Sequence, residues 1–112
     1  MSSKKICHIC TASDWESAQA AGFYQAASLE TEGFIHCSRP DQVLRVANLY
    51  FSGIADLRLL WIDPTQVSGT IRWEPVEGDT YPHIYGILNL DAVQKAVPLI
   101  SQADGSFTDF PQ

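Results

Sequence analysis

The sequence has no long hydrophobic run and few basic residues. No apolar stretch approaches the roughly 20 residues that a helix needs to span a bilayer. Lysine and arginine together number 7 against 13 aspartates and glutamates, which gives a net charge of −6, and the basic residues are scattered. Broad nucleic-acid binding depends on clustered basic side chains that neutralise phosphates. We therefore expect no membrane association, no DNA partner and a cytoplasmic location.

Common catalytic and cofactor motifs are also missing. The sequence contains no G-x-G-x-x-G, no Walker loop, no G-x-S-x-G and no H-E-x-x-H. These absences exclude the commonest phosphate-binding, hydrolase and zinc-enzyme interpretations, each of which depends on one of those local geometries. An anionic ligand would have to be held by helix ends and a few placed side chains.

Cysteine is scarce and odd in number, with three residues, and we expect no secretory signal. This favours reduced thiols over a framework of disulfides. Cys7 and Cys10 have metal-binding or redox spacing, and Cys37 and His36 could add ligands. However, residues three apart on a strand point to opposite faces, whereas zinc-binding pairs converge on a turn. We expect the cysteines to be core residues and expect no metal.

The length of 112 residues suits a single domain. We expect an ordered core over about residues 5–100 and a loosely held polar tail over 101–112. A short helix is predicted over 14–21, opened by a capping box of Ser13 and Glu16 and ended by Gly22. The apolar periodicity of residues 39–51 predicts the clearest helix.

Several short runs have strand character, and residues 57–62 are the candidate for a central strand because they are almost continuously apolar. Residues 28–33 and 77–82 are interpreted as loops, and 90–99 as a helical turn followed by a strand. The other predicted strands are residues 5–10, 33–38, 70–74 and 83–86. Short strands interleaved with two main helices predict an α+β domain with a mixed or split sheet.

The run G-F-I-H-C-S at residues 33–38 concentrates chemical groups in one place. Side chains on a strand alternate between faces, so Phe34, His36 and Ser38 should share one side. Ser38 then precedes Pro40 and Asp41 as a helix N-cap would. Because a helix N-terminus offers unpaired N–H donors, we expect an anion or phosphate site beside His36.

His8 and His36 are the leading candidate pair. If their strands lie side by side with matching faces, both imidazoles meet in one cleft with Ser38 nearby. Histidine titrates near neutral pH, so the pair could transfer protons or bind the hydroxyls of a ligand. His83, with Tyr85 two residues later, lies in a similar strand-like run. The alternative is that each histidine is a satisfied structural residue.

Arg72 and Glu74 should share one strand face, opposite Ile71 and Trp73. They could serve as a ligand clamp and a catalytic carboxylate. They could equally form a surface ion pair, a contact that is typically worth about 0–1 kcal/mol. Trp73 is expected in the core.

Four motifs give the chain a specific resemblance, covering about residues 6–99, to a small bacterial family known as domain-of-unknown-function family 952. The motifs are C-H-I-C at 7–10, S-L-x-x-E-G-F-I-H-C-S at 28–38, R-W-E-P at 72–75 and P-H-I-Y-G at 82–86. In the first motif the family usually has an aromatic residue before the histidine and a threonine two residues after it. Cys7 and Cys10 stand in those places here.

More distantly, the arrangement resembles the ADP-ribosyltransferase fold, in which histidines or aromatic residues on core strands grip NAD. The resemblance implies that His8 bonds a ribose of NAD, that His36 contacts the nicotinamide and that Ser38 assists. It also implies that Glu74 stabilises an oxocarbenium-like ribose while Tyr85 or His83 closes the pocket.

On this basis NAD is the expected substrate, and the acceptor would be a small molecule or an RNA 2′-phosphate-like group. Two other functions stay open. The same histidines and aromatic residues could form a non-catalytic module for a small anionic metabolite, or His36 and Glu74 could act as an acid–base hydrolase. Fold alone does not decide among these functions.

Overall fold

Two three-stranded antiparallel sheets and a two-stranded ribbon organise the chain in the computed structural model, which describes residues 4–111. The helices are α1 (Ala12–Ala21), α2 (Ala27–Thr31) and α3 (Val43–Tyr50). The strands are β1 (Ile6–Thr11), β2 (Phe23–Tyr24), β3 (Ile35–His36), β4 (Leu57–Ile62), β5 (Thr70–Val76), β6 (Asp79–Tyr85), β7 (Leu88–Asn89) and β8 (Val93–Leu99). This arrangement confirms the predicted α+β class. Within the described range no helix has the length and apolar character needed to cross a membrane.

The first sheet has the strand order β1-β4-β8, so β4 is central, as its apolar sequence predicts. Leu57 and Leu59 face one core cluster, and Leu60 and Ile62 face the other. A strand that is buried on both faces has no solvent-exposed face, which explains why the run is almost continuously apolar. The predicted helical turn and strand over residues 90–99 are also present, as the 3₁₀ turn Leu90–Ala92 and β8.

The second sheet has the order β3-β6-β5. A single backbone bridge pairs it with the first sheet, where Cys7 and Ser38 exchange two N–H···O bonds of 2.8 Å. Residues 35–36 pair with β6, and Ser38 pairs with β1. The segment that follows Gly33 is therefore shared between the two sheets.

The hairpin β5–β6 corrects the predicted loop over residues 77–82. Only Glu77 and Gly78 form the turn, with φ values of 48° and 85°, and β6 begins at Asp79. Positive φ at both central residues matches the twist of a tight hairpin. β5 also runs through Pro75 instead of ending there, because it is an edge strand and proline needs no ladder donor on the open edge.

The start of α1 differs from the prediction because a different side chain caps it. Thr11 caps α1 by accepting the N–H of Asp14 at 3.0 Å, so the helix begins at Ala12 and the proposed Ser13 box is wrong. Gly22 ends α1 in the left-handed conformation, with φ 91°, as predicted. The predicted loop over residues 28–33 is instead mostly helical, since α2 covers Ala27–Thr31.

The predicted helix over residues 39–51 begins as a 3₁₀ turn, Pro40–Gln42, and continues as α3. Ser38 does not cap it, because the Ser38 backbone is paired with Cys7. The side-chain oxygen of Gln42 instead accepts the N–H of Arg39 at 2.8 Å. The anion site that we predicted from a Ser38 cap therefore lacks that cap.

The segment after β8 packs against the domain, contrary to the predicted loose tail. Phe107 is buried in the same cluster as Val43 and Ala47. The Asn48 side chain accepts the N–H of Phe107 at 2.8 Å and donates to its carbonyl at 2.9 Å. The Asn48 amide thus bonds both the N–H and the carbonyl of Phe107, as a residue on a neighbouring strand would, and this holds Phe107 in place.

Candidate functional site

A cavity of about 460 Å³ opens between α3, the hairpin β5–β6 and the segment that contains β3. Its volume lies within the roughly 300–1,000 Å³ typical of small-molecule sites. The polar and charged side chains in its wall include His8, Glu32, His36, Ser38, Arg45 and His83. The C-terminal half of α3 and Val76 of the hairpin supply an apolar wall.

The hairpin wall is fastened to the start of α3 by a polar network. The buried Gln42 amide donates to the Asp79 carboxylate and to the Thr80 carbonyl, both at 2.9 Å. Arg39 donates to the same carbonyl at 2.9 Å and lies 3.4 Å from Asp79. These bonds lower the pKa of Asp79, with the bond from Gln42 as the main cause. The hairpin therefore has a fixed position beside the cavity.

His36 and His83 are the two imidazoles that face each other. They are directly opposed in the β3–β6 register, and their ring centroids lie 5.3 Å apart. The side chain of His36 is 52% exposed, whereas that of His83 is 5% exposed. Opposed residues of an antiparallel pair share one face, so the pleat brings these rings together.

The strands that carry His8 and His36 do not form the ladder on which the leading-pair hypothesis depended. β1 pairs with β4 over its whole length, and its backbone pairs with the β3 segment at a single bridge, Cys7–Ser38. His8 nevertheless reaches the cavity, and its contact is with the backbone of His36. Both residues line the same space, but their rings are not a hydrogen-bonded pair.

Both ring nitrogens of His8 are occupied. Nδ1 donates to the His36 carbonyl at 2.5 Å, which leaves Nε2 to accept the Tyr24 hydroxyl at 2.7 Å. This pattern fixes the neutral Nδ1–H tautomer. Burial lowers the pKa of His8 to about 4, against a weaker opposing effect of the bond to His36. His8 thus links β1, β2 and β3 and has no ring nitrogen left for a ligand.

Glu74 lies behind His83 and is not part of the cavity wall. It accepts hydrogen bonds from the Tyr85 hydroxyl at 2.5 Å and from Nδ1–H of His83 at 2.8 Å. Both bonds lower the pKa of Glu74, and the bond from Tyr85 has the larger effect. The bond to Glu74 raises the pKa of Tyr85. The Arg72 guanidinium lies 5.0 Å from the centre of the Tyr85 ring. The three predicted site residues Arg72, Glu74 and Tyr85 therefore cluster beside His83, away from the cavity.

Phe34 completes this cluster. Its ring stacks on that of His83, with a centroid distance of 4.2 Å and an interplanar angle of 18°. It also meets the rings of His36 and Tyr85 at 4.7 and 5.3 Å. The His83 ring is consequently held by an aromatic face and by a carboxylate bond.

Glu32 is a site residue that the sequence interpretation missed. It lines the cavity and accepts a bond from Nε2 of His36 at 2.8 Å. Its position four residues before His36 was visible, but the loop assigned to residues 28–33 gave no reason for the two side chains to meet. Arg45, Glu77 and Tyr81 were also not among the predicted site residues, and all three line the cavity.

Ser38 lies in the cavity wall and is buried. Cys37 is its neighbour in the wall, and burial raises the pKa of this thiol. Cys7 and Cys10 point into different core clusters, and burial raises the pKa of each to about 12. Among residues 4–111, no three histidine, cysteine, aspartate or glutamate side chains converge closely enough to hold a metal ion.

Comparison with known proteins identifies one family and one solved relative. The sequence model described as "Protein of unknown function (DUF952)" matches residues 9–96. The X-ray structure of protein CC0527 from Caulobacter crescentus is 30% identical in sequence, with a TM-score of 0.85 over 93% of each chain. A double mutant of CC0527 gives the same values. Its solution NMR structure has a TM-score of 0.78 over 92% of this chain and 90% of that chain. No curated protein matches the sequence.

Proposed function

The chain belongs to the DUF952 family of proteins of unknown function, and from that premise we propose that its cavity binds NAD. The observation that carries the proposal is the opposed pair His36 and His83 in the wall of a ligand-sized cavity. Imidazole nitrogens can donate to or accept from ribose hydroxyls. We propose that His36 and His83 contact the nicotinamide ribose and that Ser38 contributes a further hydroxyl.

The charges in the wall support NAD over a simple anion. Glu32 and Glu77 are carboxylates, and Arg45 is a guanidinium. NAD carries both signs, with a cationic nicotinamide ring and an anionic pyrophosphate. A small anionic metabolite would be attracted by Arg45 and repelled by two carboxylates, so this alternative fits the wall less well. In the proposed orientation the nicotinamide lies near Glu32 and the pyrophosphate near Arg45.

The proposed activity is ADP-ribosyl transfer, in which the bond between nicotinamide and ribose breaks and an acceptor takes its place. This follows the resemblance to the ADP-ribosyltransferase fold. The proposal changes one role. Glu74 bonds His83 and does not line the cavity, so we do not assign it the contact with the ribose. The carboxylate that does lie in the cavity wall, where a ribose could reach it, is that of Glu32.

Isothermal titration with NAD tests the proposal. We expect His36→Ala and Arg45→Gln each to weaken NAD binding about tenfold, which corresponds to about 1.4 kcal/mol. Glu30→Gln is the control, because Glu30 is an exposed glutamate close to Glu32 in sequence that does not line the cavity. The control should bind NAD like the wild type.

Two results would count against the proposal. The first is the absence of heat or of NMR shifts at millimolar NAD. The second is NAD affinity that stays within about threefold of wild type in His36→Ala and Arg45→Gln, which corresponds to about 0.65 kcal/mol.

A further inference from the structure

We infer that His83 is the general base of this cavity, and that Glu74 and Tyr85 are positioning residues that act through it. The inference rests on the proposed NAD function and deepens it by assigning the group that activates the acceptor. In this arrangement a hydroxyl-bearing acceptor, or water, loses its proton to Nε2 of His83.

The hydrogen bonds of His83 determine which nitrogen faces the ligand. Nδ1 must carry hydrogen, because its partner at 2.8 Å is the Glu74 carboxylate. Nε2 has no hydrogen-bond partner among the described residues. Among residues 4–111, Nε1 of Trp61 is the only side-chain polar atom that is both fully buried and without a hydrogen-bond partner. Nε2 of His83 also lacks a partner, so it is not fully buried. His83 lines the cavity and its Nδ1 is bonded to Glu74, so Nε2 is the ring nitrogen left to meet a ligand there.

The surrounding contacts hold the ring in this orientation. Phe34 stacks on one face of His83, and the ring of His36 meets it at an interplanar angle of 76°. Glu74 is itself held by the Tyr85 hydroxyl at 2.5 Å. A base positioned by a hydrogen-bonded carboxylate is the arrangement by which enzymes fix a histidine tautomer. His83 has this support, whereas His36 is half exposed and bonded to the exposed Glu32.

The reaction step balances without another reagent. As the acceptor O–H gives its proton to Nε2 of His83, its oxygen forms a bond to C1′ of the ribose. The bond between C1′ and the nicotinamide nitrogen breaks, and its electron pair returns to the ring, which leaves as neutral nicotinamide. With water as acceptor the products are ADP-ribose, nicotinamide and one proton, first held as imidazolium. The Glu74 carboxylate stabilises that cation.

Nicotinamide release from NAD, measured in water and with methanol as a small hydroxyl acceptor, tests the inference. His83→Gln should abolish release. Glu74→Gln should lower kcat about 100-fold or more while KM stays within threefold, because Glu74 does not line the cavity. Tyr85→Phe should lower kcat less, and Glu30→Gln should change neither constant. Circular dichroism would verify that each variant is folded.

A spectroscopic signature separates positioning from a merely structural role. Long-range ¹⁵N correlation spectra of the wild type should show His83 as the Nδ1–H tautomer. Glu74→Gln should shift the population towards Nε2–H, since an amide can donate to Nδ1. An unchanged tautomer in folded Glu74→Gln would overturn the inference. So would NAD that binds but releases no nicotinamide with either acceptor, a result that counts against the transfer activity but leaves NAD binding intact. Absence of NAD binding would instead refute the proposed function.

Discussion

Acid should destabilise this protein through His8, whose imidazole is buried in the fold. Burial lowers the pKa of His8 to about 4 in the folded state, from an ordinary value of 6.5. Because the folded value is the lower one, the unfolded chain binds more protons at intermediate pH. His8 therefore contributes stability that is fully present above pH about 6.5 and is lost as the pH falls towards about 4.

The magnitude follows from these two values. Between pH 7.5 and 5.0 the unfolded chain takes up almost one proton at His8, while the folded chain takes up very little. The free energy of unfolding should fall by about 2 kcal/mol from this residue alone. Urea denaturation followed by tryptophan fluorescence at pH 7.5, 6.0 and 5.0 would measure the fall. Glu74 and Asp79 have lowered pKa values and remain charged over this range.

His8→Asn supplies the control, because asparagine can present a donor towards the His36 carbonyl but does not titrate. We expect it to be less stable than wild type at pH 7.5 by about 1–3 kcal/mol, since the Tyr24 hydroxyl loses its acceptor in a buried position. Its stability should vary less with pH than that of wild type, by about 2 kcal/mol. Equal pH dependence in the two proteins, within about 0.5 kcal/mol, would refute the assignment of His8 as a buried neutral imidazole.

Three further predictions concern packing, a turn and the thiols. Phe107→Ala should lower the free energy of unfolding by about 3–5 kcal/mol, because a fully buried aromatic ring leaves a void; an unchanged urea midpoint would show that the C-terminal segment is not anchored. Gly78→Ala should cost about 1 kcal/mol at φ 85°, whereas Gly78→Asn should cost less, and thermal melts would rank the two. The three buried thiols, with the pKa of Cys7 and Cys10 raised to about 12, should react with a disulfide dye at pH 8 only after unfolding; prompt labelling of the native protein would contradict their burial.

Elements whose signal lies within a few residues were predictable from the sequence. The apolar run of β4 identified a central strand, and the stripe on residues 43–50 identified α3. The period of β5 correctly placed Arg72 and Glu74 on one face, where both adjoin Tyr85. These features follow from periodicity and turn chemistry, which neighbouring residues alone encode.

Partner choice between strands was not predictable. The opposed histidines are separated by 47 residues, and periodicity within each strand says nothing about which strands pair. His8 was therefore matched with His36, although β1 uses its ladder on β4. Phe107 was missed for a related reason. Its polar surroundings in sequence suggest a tail, and its anchor, Asn48, lies on a distant helix.

Residues 35–38 couple the local unfolding of one three-stranded sheet to that of the other. Ile35 and His36 belong to one ladder, and Ser38 belongs to the other through its paired bonds with Cys7. Separation of the sheets must break those bonds, whereas fraying of the outer ends of the hairpin need not. The amides of Cys7 and Ser38 should therefore exchange with deuterium as one cooperative unit. Their protection would measure the free energy that holds together the sheet that carries His8 and the sheet that carries His83.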